Sequence, residues 1–134
     1  MTFQYFFTIK YDFFCVVHSS CRGDHIKTTG TQIKYPLKGK YGANEACVWT
    51  VDTPGKVEVK VTRFDIEPKC NGYDCDYVEI RERYGKDGKS QRKSKWSGKE
   101  GKGKALVFNG KFTVHLRSDG QKHYNGFQMD IKNN

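Results

Sequence analysis

Five cysteines and four histidines are among the residues of this 134-residue chain that could do chemistry. Cys70 and Cys75 stand five positions apart in KCNGYDCDYVEI, and Asp76 follows the second directly. Cys15, Cys21 and Cys47 are spread upstream. Zinc sites use paired Cys-x2-4-Cys ligands or a His-x3-5-His partner. One close pair, with His18, His25, His115 and His123 scattered along the chain, fits zinc poorly. Disulfides fit better, and four cysteines allow three pairings. No Ser-His-Asp spacing, His-Glu-x-x-His, phosphate-binding loop or dinucleotide fingerprint is present, so an enzyme is not expected.

Positive charge is the second chemical feature. Lys and Arg number 24 against 15 acids. Between positions 81 and 104 lie Arg81, Arg83, Lys86, Lys89, Arg92, Lys93, Lys95, Lys99, Lys102 and Lys104, against Glu82, Asp87 and Glu100. Such a run suits sulfated glycosaminoglycans or other anionic surfaces, and is equally what a solvated, charge-solubilised loop looks like. Nucleic acid would be attracted too, but a secreted chain seldom meets it. Arg22-Gly23-Asp24 matches the integrin-type tripeptide, a signal short enough to arise by chance.

Residues 1–19 resemble a secretory signal. An apolar stretch at 13–17 precedes Ser19 and Ser20, and Val17 with Ser19 fits the small-residue rule for cleavage after Ser19. Lys10 and Asp12 interrupt the apolar region, so an ordinary N-terminal strand stays open as the alternative. Cleavage removes Cys15 and leaves four cysteines, an even number suited to an oxidising, extracellular compartment. It also removes Lys10 and Asp12, leaving 23 − 14 = +9. The expected organisation is a signal peptide over 1–19 and one secreted domain over 20–134. No run of 18 apolar residues occurs, so no membrane span is expected.

The elements that must position these groups read as strands. Cys47, Trp49 and Val51 alternate with Val48 and Thr50; Val57, Val59 and Val61 alternate with Glu58, Lys60 and Thr62. Val78 and Ile80 alternate with Glu79 and Arg81, and Phe127, Met129 and Ile131 form a last strand. Leu106 and Phe108 lead through Asn109-Gly110 to Phe112, Val114 and Leu116, which predicts a two-residue hairpin. Between Arg83 and Lys104 alternation fails, predicting an exposed excursion with a short strand around Trp96. Many short antiparallel strands mean a sandwich or barrel.

Six segments in order carry a family resemblance: Cys21; YPLKGKYGANEACVW (35–49); RFDIE (63–67); CDYVEI (75–80); LRSDG (116–120); and GFQMDI (126–131). Together they resemble a CUB domain over roughly 21–132, which implies an all-β, two-sheet antiparallel jelly-roll β-sandwich. The resemblance implies a Cys21–Cys47 disulfide, with Trp49 two residues on in the core. The family's second bridge runs to a later Cys-Gly turn, where this chain reads Ser97-Gly98. Cys70–Cys75 is therefore expected as a local clip.

Many CUB domains gather three carboxylates around calcium; carried over, these are Glu67, Asp76 and Asp119, with Tyr41 hydrogen-bonded behind them. Carbonyls near Gly120 and Gln121, with water, would complete a sphere of six to eight oxygens. Gly120-Gln121-Lys122 departs from the usual Ser or Asn, and one extra residue separates the first two acids. In the family such a site docks a Lys or Arg of an extracellular partner protein, a binding module and not an enzyme.

Overall fold

The structure is a computed structural model that describes residues 25–26, 31–52, 54–84, 89–120 and 124–133. Nine strands fill it: β1 (His25–Ile26), β2 (Thr31–Tyr35), β3 (Ala46–Val51), β4 (Val57–Asp65), β5 (Tyr77–Tyr84), β6 (Lys89–Trp96), β7 (Ala105–Phe108), β8 (Phe112–Arg117) and β9 (Gly126–Asn133). They form a four-stranded sheet, β2-β9-β4-β7, and a five-stranded sheet, β1-β3-β8-β5-β6. The described residues contain no helix, and so none among them is long and apolar enough to cross a membrane. The chain is an all-β jelly-roll sandwich, antiparallel throughout except for the two-residue β1–β3 pairing, which is parallel.

Alternation is the reason these segments pair as they do. Cys47, Trp49 and Val51 are buried while Ala46 and Val48 are exposed, and β4 repeats the pattern with Val57, Val59 and Val61 inward. The inner faces meet in one core that includes Ile80, Val114, Leu116, Phe127, Met129 and Ile131. Burying each such side chain contributes about 1.5–3 kcal/mol. Trp49 lies between the sheets, its ring 5.6 Å from Tyr35 and 5.5 Å from Phe127, edge-on to the latter.

Two expectations are corrected. Asn109-Gly110 is not a hairpin, because β7 pairs with β4 and β8 with β3 and β5, in the other sheet. The three residues 109–111 carry the chain across the sandwich, and only Gly110 among them has positive φ, 137°. Phe108 and Phe112 face each other across the interior, stacked at 4.3 Å. Two apolar runs facing one core from opposite sheets have the same periodicity as two strands of one hairpin.

The excursion after Arg83 also differs. Residues 89–96 form a full strand, β6, at the end of the five-stranded sheet. Only Trp96 of it is buried, so the apolar alternation that announces a half-buried strand is missing.

Candidate metal centre

Three strand ends bring the acids together. Glu67 follows β4, Asp76 precedes β5 and Asp119 follows β8. The antiparallel pairing Tyr77↔Arg117 places the start of β5 beside the end of β8. The turn after β6 joins them, as Ile66 N donates to Gly98 O at 2.9 Å and Gly98 N to Glu67 O at 3.1 Å. Tyr41, fully buried, comes from the segment before β3. Its hydroxyl donates to Asp76 Oδ2 at 2.5 Å and accepts from Glu67 N at 3.1 Å. Asp119 N donates to Asp76 Oδ1 at 2.8 Å.

The electrostatics follow from this crowding. Burial, then the charges of Asp76 and Asp119, push the Glu67 carboxyl up to about 7. Burial also raises Asp76, against the opposing hydrogen bonds from Tyr41 and the Asp119 amide. Burial and the Asp76 hydrogen bond hold the Tyr41 phenol well above its usual range. Glu67 Oε1 is buried with no hydrogen-bond partner. An unpartnered carboxylate oxygen beside two further carboxylates is costly unless a proton or a cation is shared among them.

Glu67, Asp119, Cys70 and Cys75 offer ligand atoms within 4.8 Å of one another. The two sulfurs are joined as a disulfide, and only thiolate binds metal well. The usable donors are therefore oxygens, a set that suits a hard cation. Cys47 is disulfide-bonded too; its expected partner Cys21 lies outside the described residues, as do Cys15, the Arg22-Gly23-Asp24 tripeptide, Lys86 and Gln121.

Several supporting groups carried no signal of their own in the sequence. The buried Glu45 accepts hydrogen bonds from the Tyr35 hydroxyl and the Gly42 amide. Its own amide donates to Ser118 Oγ at 2.8 Å, and Asn44 N donates to Asp119 O at 2.8 Å. The Tyr41 segment is thus tied to the Asp119 turn. Ser97 Oγ lies 2.9 Å from both Asp74 Oδ1 and Asp76 O. Where a cross-strand disulfide was the family's expectation, a buried hydroxyl ties the turn to the start of β5.

The described basic residues of the 81–104 run fall in more than one place. Arg81 and Arg92 reach Glu79 on the outer face of the five-stranded sheet. Lys93 pairs with Glu82 at 3.3 Å and Lys95 with Asp74 at 3.1 Å. Lys99, Lys102 and Lys104 lie in turns that close on β4 through Lys104 O and Val61 N.

Sequence comparison decides the family: residues 21–131 match the family described as CUB domain. The chain belongs to the CUB family. This CUB domain shares its fold with the CUB1-EGF-CUB2 fragment of human MASP-1/3 at a TM-score of 0.69 and 15% identity, covering 84% of this chain and 42% of that one. The MASP-1 CUB2 domain bound to Ca2+ gives 0.60 and 20%, covering 84% of this chain and 100% of that chain. The full extracellular region of zebrafish Gpr126/Adgrg6 gives 0.66 and 18% over 82% of this chain, which spans only 14% of that ectodomain. No curated protein matches the sequence. CUB domains are in general extracellular, non-catalytic modules of protein–protein interaction.

Proposed function

We propose that this CUB domain is a secreted docking module that uses Glu67, Asp76 and Asp119 to hold calcium. The observation that carries the proposal is the buried, unpartnered Oε1 of Glu67 beside Asp76 and Asp119. The oxygen-only donor set fits calcium, and the MASP-1 CUB2 structure, described as bound to Ca2+, supports the same choice. Both oxygens of Asp76 accept protein hydrogen bonds, and each retains a second lone pair for an ion. Calcium would supply the positive charge that lets three carboxylates stay ionised together. A Lys or Arg of a partner protein would then pair with the acids that the ion orders. Catalysis has no part in this reading. Residues 1–19 would act as the signal peptide, and Cys21 would pair with Cys47.

The test is a melting curve in about 2 mM calcium against chelator. With a dissociation constant of ~0.1–1 mM, the expected stabilisation is about 0.6–1.8 kcal/mol. That corresponds to a shift of roughly 3–8 °C for a domain of this size. Asp119→Ala should abolish the shift. An equal shift in Asp119→Ala, or no shift in the parent, rejects the proposal.

A further inference from the structure

The outer face of the five-stranded sheet carries charge that the calcium site does not use. Alternation along β5 places Tyr77, Glu79, Arg81 and Arg83 on that face. Register sets Arg117 of β8 beside Tyr77, and Arg92 of β6 beside Arg81. Four of the chain's six arginines therefore share one face, while the described lysines are spread over strands and turns of both sheets. From the Arg117 row to the Arg83 row is six residues of strand, about 20 Å.

Like charges directly opposite across strands repel, and Arg81 against Arg92 is such a pair. Glu79 offsets it from below: its side chain is only 17% exposed. Its two oxygens take Arg81 Nη1 at 3.3 Å and Arg92 Nη1 at 3.5 Å. Arg81 Nε also lies 3.1 Å from Ser90 Oγ. One recessed carboxylate thus positions two guanidinium forks, each with further N–H donors. The neighbouring acid Asp74 is engaged by Lys95. His115 lies between Glu79, Arg81 and Arg117, and burial lowers its pKa, so it adds no charge at neutral pH.

We infer that this face binds a linear sulfated polysaccharide. Guanidinium forks match oxyanions two oxygens at a time, where a lysine offers only a point charge. A flat sheet face suits a polymer lying across it better than a small anion, which needs a pocket. A disulfide-bonded domain of an extracellular family meets sulfated glycans as its abundant polyanions. The face uses none of the three acids of the calcium centre, although its Arg117–Tyr77 end adjoins Asp119 and Asp76.

The experiment uses a heparin-derived octasaccharide and its desulfated counterpart, with chelator present throughout so that the calcium site plays no part. The parent protein should bind the sulfated form and ignore the desulfated one. Arg83→Ala with Arg117→Ala, both at exposed positions, should weaken binding about tenfold or more and elute from heparin at lower salt. Lys99→Ala with Lys102→Ala removes the same charge elsewhere and should elute with the parent. Equal losses in the two double variants, equal binding of the desulfated chain, or no retention of the parent would each overturn the assignment.

Discussion

The hydroxyl of Tyr41 and the carboxylate of Asp76, 35 positions apart, meet at 2.5 Å in the interior of the sandwich. The same hydroxyl accepts the Glu67 amide, so one phenol joins two of the three acids. Tyr41→Phe keeps the ring and leaves both partners unsatisfied in a buried place. The expected cost is about 1–3 kcal/mol, seen as a lower denaturant midpoint at unchanged m-value, together with weaker calcium-dependent stabilisation.

Glu67 gives the metal-free domain a pH dependence of unusual sign. Its folded pKa, about 7, lies above the ordinary value of 4.5. Between those values the folded state holds a proton that the unfolded chain has released, so stability falls as pH rises from about 5 through 7. Asp76, raised as well, pushes the same way. Melting temperatures in chelator should therefore drop from pH 5.5 to about 8, and millimolar calcium should flatten or reverse the trend. His115, lowered by burial, opposes this trend below its ordinary 6.5, so the deciding comparison is with Glu67→Gln: an equal pH trend in that variant refutes the assignment to Glu67.

The Cys70–Cys75 bridge closes a short ring between two of the acids. Replacing both by serine should cost about 2 kcal/mol on the chain-entropy estimate. Because the sulfurs lie against Glu67 and Asp119, calcium affinity should fall as well. Chemical denaturation and calcium titration of the double variant read the two effects separately.

Gly126 starts β9 at φ 90°, and a Cβ there would stand 2.0 Å from Tyr35 O and 2.5 Å from Pro36 Cδ. Backbone atoms cannot yield as a flexible side chain can. Gly126→Ala should cost more than about 4 kcal/mol. Little soluble, cooperatively melting protein is the expected result. Gly103, with positive φ but open space around it, is the control: its alanine variant should cost only about 1 kcal/mol.

Two of the chain's three Asn-Gly pairs show how far the sequence could be read. Asn109-Gly110 sits between alternating apolar runs, the pattern of a hairpin, yet it links the two sheets. Asn71-Gly72 lacks such flanks and is the true tight turn. Its residues have φ of 51° and 84°, and Cys70 and Tyr73 exchange backbone hydrogen bonds at 2.8 and 2.9 Å. Periodicity says which face a residue buries, not which sheet it joins. It therefore located β3, β4, β5, β7, β8 and β9, and of β6, whose outer positions are all polar, caught only the end around Trp96.

The acids raise the same difficulty at longer range. Positions 67, 76 and 119 have no local pattern in common, and the ends of β4, β5 and β8 bring them together. The family resemblance named them as candidates where spacing could not. Glu45 and Ser97 had no such help: a buried glutamate and a buried serine look like surface residues until their partners at Tyr35, Gly42, Asp74 and Asp76 are known.

Strand β9, the last of the described strands, lies in the middle of its sheet, between β2 and β4. Ile131 pairs with Thr31 on one side and Val59 on the other. During synthesis β2 has no partner in its sheet, and β4, paired on one edge with β7, keeps its other edge open until β9 is made. The four-stranded sheet cannot zip up progressively from the N-terminus; it closes in one late event, across contacts as much as 100 residues apart, and such closures are slow. The domain therefore folds after translation of its last strand, not during it, and truncation before residue 126 should leave a chain unable to fold, not a smaller sandwich.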